Sequence, residues 1–197
     1  LVLVGEWMPV TFFYPDRDWE KEELTNSHGW WNTVETFDQD GDGDRDLLLG
    51  NWGLNSDLKA SVWEPVELYV RDFDNNQTYD PVLTYYKQGK PYTYYSKDEL
   101  AKQLVVINKK FTEYEAFAES TFEEVFSAEE LKEAEQRKAV TFASSLAINQ
   151  GDGRFRLVVL PNAIQIAPLF AFATGDWNGD DRADFLAVGN FHAVQPS

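Results

Sequence analysis

Between residues 38 and 46 an aspartate stands at every second position, Asp38, Asp40, Asp42, Asp44 and Asp46, and an apolar run follows at once. Like charges held a few Å apart in water repel by about 1 kcal/mol per close pair. A chain that concentrates them between two apolar stretches needs something positive to hold them together. Two further segments repeat the skeleton, at 72–80 and 176–184. Counting the first aspartate as position 1, oxygen-bearing side chains fall at positions 1, 3, 5 and 9 each time. They are Asp38, Asp40, Asp42 and Asp46, then Asp72, Asp74, Asn76 and Asp80, then Asp176, Asn178, Asp180 and Asp184.

A hard cation such as Ca²⁺ takes about 6 to 8 oxygens at ~2.3–2.6 Å. Alternate side chains on a tight loop supply several of these, and position 7 adds a backbone carbonyl from Asp44, Thr78 or Arg182. Gly41, Gly43 and Gly179 ease the path of the chain. The expectation is a Ca²⁺ site in each of the three loops. The first should bind tightest, because it offers four carboxylates where the others offer three and an amide. An EF-hand shares the opening D-x-D-x-D-G but needs a bidentate glutamate at position 12 and flanking helices. Position 12 is Leu49, Leu83 or Ala187 and the flanks read as strands, so that motif and the dockerin-type variant are rejected. Asp, Asn and Gly are also ordinary turn residues, but three loops agreeing at four positions point to a common ligand. The stretch NQGDG at 149–153 lacks the pattern and reads as a plain hairpin turn.

The net charge of −17 makes nucleic acid and anionic membrane surfaces poor partners and cations natural ones. Hydrophobic content of 43% and aromatic content of 15% in 197 residues are enough for a folded core. No apolar run approaches the ~18 residues of a membrane span, so no membrane insertion by this segment is expected. With no cysteine, there is neither a disulfide framework nor a thiolate metal site. The opening LVLVGEW has no initiator methionine and no signal-peptide character, and reads as the inside of a strand. A piece of a longer protein is expected.

Short apolar and alternating runs dominate residues 1–95 and return in 140–197. LVLVGEWMPVTFFYP reads as two strands. VELYVRD, DPVLTYY and PYTYY read as three more, the last two joined by a turn at KQGK. Residues 96–139 differ: rich in Glu, Lys and Ala and free of Gly and Pro, they predict a helical insertion of two or three helices. Capping boxes are expected at Ser96…Glu99, Thr112…Glu115 and Ser127…Glu130. Phe111, Tyr114, Phe117, Phe122 and Val125 form a stripe expected to pack as core. LVLVGEW, DLLLGNW and DFLAVGNF share an apolar run, a glycine, a Glu or Asn and an aromatic, which reads as an internal repeat.

Strand, nine-residue acidic loop, strand and glycine together resemble the FG-GAP or VCBS repeats of integrin α-subunit-type β-propellers. The phrases GEWMP, GWWN, GNWGLNS and SKDEL are similar to bacterial surface and secreted proteins carrying such repeats, and the resemblance covers nearly the whole chain. It implies a mainly β fold, a partial β-propeller of about three blades' worth of four-stranded antiparallel sheets with the helical insertion in the third blade. It implies Ca²⁺ in each loop, an extracellular, periplasmic or outer-surface location, and further blades from additional sequence or a partner chain. Gln77 and Asp181 depart from the glycine usual at position 6, and the glycine after the third loop comes one residue late, at Gly189, which suggests a bulge.

Two function classes follow. One is a non-catalytic calcium-binding propeller segment that binds a protein or glycan through its surface. The alternative is the calcium-stabilised propeller part of a carbohydrate-active enzyme such as a polysaccharide lyase. His28 and His192 each stand alone in sequence and no nucleophile or phosphate motif occurs, so catalysis has no support from motifs. Trp30, Trp31, Trp52 and Trp63, with Tyr85, Tyr86, Tyr92, Tyr94 and Tyr95, are candidates for stacking on sugars or for packing between sheets.

Overall fold

The computed structural model describes residues 1–151 and 153–190. The chain forms two compact units, one made of Leu1–Asp57 and the chain from Thr141 onward, the other of Leu58–Val140. Among the described residues several antiparallel sheets and five short α-helices make it mainly β, and none of these sheets closes on itself.

The first unit opens with β1 (Val2–Leu3), β2 (Glu6–Met8), β3 (Thr11–Tyr14), β4 (Glu20–Glu23) and β5 (Gly29–Trp30), followed by β6 (Thr33–Phe37) and β7 (Asp46–Gly50). The opening fifteen residues make three strands rather than two. Trp7 takes a φ of 60° and the ladder slips between Glu6 and Met8, so β2 leaves its neighbours and pairs with β5. β1, β3 and β4 form one sheet with β3 central.

The second unit holds β8 (Val66–Arg71), β9 (Asp80–Lys87) and β10 (Lys90–Thr93). There follow α1 (Lys97–Gln103), α2 (Val106–Lys110), α3 (Tyr114–Glu119), α4 (Phe122–Val125), α5 (Ala128–Glu133) and β11 (Glu135–Ala139). Its sheet runs β10-β9-β8-β11. Three consecutive strands with a fourth returning beside the first make a Greek key. The sequence reading therefore needs correcting in three places. The helices number five. Residues 135–139 are a strand, because the free edge of β8 offers a hydrogen-bonded ladder that outweighs the helix preference of Glu, Gln, Arg and Lys. And the third capping box is Thr121…Glu124, beside those at Ser96…Glu99 and Ser127…Glu130. Phe111 still caps the end of α2, which moves the start of α3 past Thr112.

Phe111, Phe117, Phe122 and Val125 are buried with Leu100, Leu104, Ile107 and Phe126 against Val82 of β9 and Phe73 of the loop between β8 and β9. Each fully buried side chain of this size contributes about 1.5–3 kcal/mol. Tyr114 departs from the stripe at 62% exposure. Its hydroxyl donates to Asp98 at 2.9 Å, and the Lys97 ammonium lies 4.7 Å from its ring centroid.

The chain then returns to the first unit as β12 (Ser145–Asn149), β13 (Phe155–Val159), β14 (Ala171–Gly175) and β15 (Asp184–Val188). β6, β7, β12 and β13 lie side by side in chain order, so the whole second unit is an excursion between two adjacent strands. β7 is buried along its length. The pleat sends Leu47 and Leu49 to one face, among Val10, Phe12, Trp31 and Ala147, and Leu48 to the other, with Phe37, Leu146 and Leu160. Phe172 of β14 and Phe185 of β15 pack on that second face. Three sheets are thus layered through this unit. The β14–β15 register is continuous from Gly175↔Asp184 to Ala171↔Val188, so the late Gly189 marks no bulge.

Candidate metal centres

Each acidic loop joins two paired strands: the first links β6 to β7, the second β8 to β9, the third β14 to β15. All three are built on one hydrogen-bond scheme. The position-9 carboxylate reaches back to the amide of position 2: Asp46 accepts from Gln39 at 2.8 Å, Asp80 from Phe73 at 3.1 Å, and Asp184 from Trp177 at 3.1 Å. The position-1 carboxylate accepts from position 6, Asp38 from Gly43 at 3.0 Å, Asp72 from Gln77 at 2.7 Å and Asp176 from Asp181 at 3.0 Å. The position-5 oxygen accepts from position 7, Asp42 from Asp44, Asn76 from Thr78 and Asp180 from Arg182, at 2.7–3.0 Å.

Backbone angles agree as well. Position 4 has positive φ in every loop (Gly41 79°, Asn75 58°, Gly179 76°), and so does position 6 (Gly43 93°, Gln77 70°, Asp181 61°). Gln77 and Asp181 thus keep the left-handed conformation that glycine takes freely, at about 1–2 kcal/mol for an ordinary side chain. The path of the loop is the same with glycine, glutamine or aspartate at position 6.

Carboxylate oxygens of Asp38, Asp40 and Asp42 lie within 4.8 Å of one another, as do those of Asp72, Asp74 and Asp80. In the second loop Asp74 Oδ1 is shielded from solvent with no hydrogen-bond donor. An unpaired buried acceptor costs about 1–3 kcal/mol, and a cation would supply the missing partner. Burial pushes the Asp80 carboxyl above the usual range. The Phe73 amide opposes this, Asp74 adds to it, the Gln103 side chain opposes it, and Asp72 adds again. In the third loop Asn178 Nδ2 donates to Asp180 Oδ2 at 3.3 Å, so positions 3 and 5 face each other there too. The chemistry of all three donor sets fits a hard cation with oxygen ligands.

The first and third loops border a common cleft of about 310 Å³, lined by Asp38, Gln39, Asp40 and Gly41 on one side and Asp181, Arg182 and Ala183 on the other. The second loop belongs to the other unit. Asn149, from the stretch that reads as a plain turn, is tied into the first loop. Its amide donates to Asp46 Oδ1 at 2.8 Å, and its side chain donates to the Arg45 carbonyl at 3.4 Å. Only the antiparallel pairing of β12 with β7 brings it there.

Among the aromatic candidates, Trp31 is core, at 2% exposure with Nε1 donating to the Ser27 carbonyl. Trp63 is 88% exposed. Trp30 and Trp52 pack edge to face, and Tyr85 neighbours both Tyr92 and Tyr94. Tyr86 is half-buried, and burial raises its phenol pKa. His28 is half-buried and its carbonyl accepts from the Thr141 amide, while His192 lies outside the described residues. Among the described residues no helix is long and apolar enough to cross a membrane. No protein-family model matches the chain, and no curated protein and no solved structure matches it.

Proposed function

We propose that the chain is a non-catalytic, calcium-binding segment of an FG-GAP/VCBS-type β-propeller, from a secreted or surface-displayed protein, that presents a binding surface for a protein or glycan. The observation that carries this reading is the common scheme of the three loops, with the same position 9-to-2, 6-to-1 and 7-to-5 contacts and the same two positive-φ positions. Ordinary solvated turns have no reason to agree so closely across different residues. Side chains at positions 1, 3, 5 and 9 and the carbonyl at position 7 would hold Ca²⁺, which turns their mutual repulsion into attraction. Millimolar extracellular calcium suits loops of modest affinity.

The layered sheets support the propeller part. β1, β7 and β15 carry the three sequence repeats, and each is the strand that leads into a Gly-Glu or Gly-Asn step. In this reading β1-β3-β4, β6-β7-β12-β13 and β14-β15 belong to three successive blades, with the middle one entire. The second loop and the helices, expected from the resemblance in a third blade of their own, are read instead as an elaboration inserted into that middle blade, because β7 and β12 on either side of them pair in one sheet. Closure takes about 4 to 8 blades, so the reading calls for more blades from additional sequence or a partner chain.

The test is a thermal melt in chelator, followed by separate titrations with Ca²⁺ and Mg²⁺. A binder of the folded state raises the melting point as its concentration passes its Kd. The expected result is a clear rise with calcium and little with magnesium. No shift with either ion would overturn the calcium reading.

A further inference from the structure

Trp7 of β2, Trp30 of β5 and Trp52, just beyond β7, converge in the first unit. Trp7 and Trp30 have ring centroids 4.9 Å apart at 65°, Trp30 and Trp52 5.4 Å apart at 82°, and Phe142 closes on Trp30 at 4.7 Å. All three indoles are half-buried. Two donors in this segment lack any protein acceptor: Trp30 Nε1 and the side-chain nitrogen of Asn32, both shielded from solvent. The neighbouring Trp31 shows the ordinary arrangement, with its Nε1 donating to Ser27 at 2.7 Å. A buried N–H left unpaired costs about 1–3 kcal/mol.

Backbone strain accumulates at the same place. Trp7 has a φ of 60°, unusual for a bulky residue, at the slip in the β2–β5 ladder. Strain of this kind persists where surrounding structure holds it, and it concentrates at ligand-binding positions. The support beneath is rigid. Asn51 is wholly buried, its Oδ1 accepts from the amides of Trp30 and Trp52, and its Nδ2 donates to the carbonyls of Thr141 and Ala143.

A ligand for this cluster must bring acceptor oxygens, flat C–H faces for the indoles, and no negative charge in a chain of net −17. Peptides and sugars both bring donors of their own, but a pyranose ring sets a flat C–H face, which stacks on an indole, beside several acceptor oxygens, the combination that indoles flanked by two unpaired N–H donors call for. We propose that the Trp7–Trp30–Trp52 cluster is a subsite for a neutral carbohydrate ring, with Trp30 Nε1 and Asn32 Nδ2 donating to its oxygens. Entry displaces one of the packed rings, and Trp7 is the one whose movement relieves backbone strain. The assignment rests on the binding-module reading above and narrows its ligand to a glycan.

The experiment titrates the full chain, with calcium present, against cellohexaose, xylohexaose and chitohexaose, following tryptophan emission and binding heat. An oligogalacturonate and a pool of neutral peptides serve as comparisons. At least one neutral hexasaccharide should bind saturably and change the emission, with no loss in about 0.5 M NaCl because no charge is involved. Trp30→Phe keeps an aromatic face but removes the N–H together with the fused five-membered ring, so Asn32→Ala serves as the variant that removes a donor without touching the indoles. Trp30→Phe should weaken binding about fivefold or more, at least the worth of one neutral hydrogen bond, with a lower melting point from the packing lost against Trp7, Trp52 and Phe142. Asn32→Ala should weaken it similarly. The proposal is overturned if no neutral sugar binds up to about 10 mM, if binding is the same in both variants, or if only the peptides bind in a Trp30-dependent way. The calcium melt reports separately. A calcium shift without sugar binding removes this subsite alone, and a missing calcium shift removes the module reading itself.

Discussion

The amide of Asn149 donates to Asp46 Oδ1 at 2.8 Å across 103 positions of chain, while the other oxygen of the same carboxylate accepts from Gln39 at 2.8 Å. One buried side chain therefore closes the first acidic loop and fastens the β12–β13 turn to it. Asp46→Ala should abolish calcium binding at this loop and lower the melting point even in chelator, since two amides lose their acceptor. For a chain of this size each 1 kcal/mol lost lowers the melting point by about 2–4 °C. Calorimetric titration and melts with and without calcium check both halves. A variant that keeps the calcium stoichiometry of the parent would contradict the assignment.

Gln77 sits at a φ of 70°, where its counterpart in the first loop is Gly43. Gln77→Gly should relieve about 1–2 kcal/mol of strain and lose about 0.5–1 kcal/mol through the freer unfolded chain. The net expectation is a small rise in stability without calcium, with affinity at the second loop kept. A fall in melting point would show that the glutamine side chain makes contacts that outweigh its backbone conformation.

Glu67 is half-buried, and burial raises its carboxyl above the ordinary glutamate value, against the opposing hydrogen bonds from Gln136 and Tyr69 and the charge of Lys138. Tyr69 is itself pushed well above the usual phenol range by burial and by that carboxylate. The folded state thus holds a proton at Glu67 more tightly than the unfolded state does. Its contribution is most favourable below about pH 4.5 and is lost as pH rises through the raised value. Glu67→Gln should raise the melting point at pH 7 by about 2 °C, discounted for partial exposure. The gain should vanish near pH 4. A gain that persists at pH 4 would rule out ionisation as its cause.

Leu48 is fully buried between Phe37, Leu146 and Leu160, on the face covered by Phe172 and Phe185. Leu48→Ala should cost about 2–5 kcal/mol, measured by denaturant unfolding. Exposed Leu186, which follows its acidic loop by the same interval, is 57% accessible and should cost less than about 1 kcal/mol when truncated. Equal losses at the two sites would contradict the layered packing.

The three loops are legible from residue types alone, because their oxygen-bearing side chains recur at a local spacing of two. So are the hairpins on either side and part of the helical core, Phe111, Phe117, Phe122 and Val125, whereas Leu100, Leu104, Ile107 and Phe126 stand outside the predicted stripe. Other features were hidden for a common reason: they depend on partners distant in sequence. Nothing local distinguishes Asn149 from any turn asparagine, and only the β7–β12 pairing places it on Asp46. Residues 135–139 have helix-forming side chains, and only the waiting edge of β8 makes them a strand. The second loop obeys the spacing of the other two, yet its sheet has a different strand order, since local patterning sets a hairpin but not its neighbours. Trp31 and Trp30 are adjacent and chemically alike, and only burial tells core from candidate site.

The excursion between β7 and β12 also bears on how the molecule assembles. Asn51 and Ser144, hydrogen-bonded across 93 positions, must find each other before β7 gains its second neighbour. Within the excursion, however, Val66 at the start of β8 pairs with Ala139 at the end of β11. Once that sheet forms, it has already brought the two ends of the long connection together. Each halving of the effective loop returns about 0.6 kcal/mol of closure entropy. An inserted unit that forms before β7 and β12 pair would therefore act as a clasp, leaving only a short effective loop for that pairing to close.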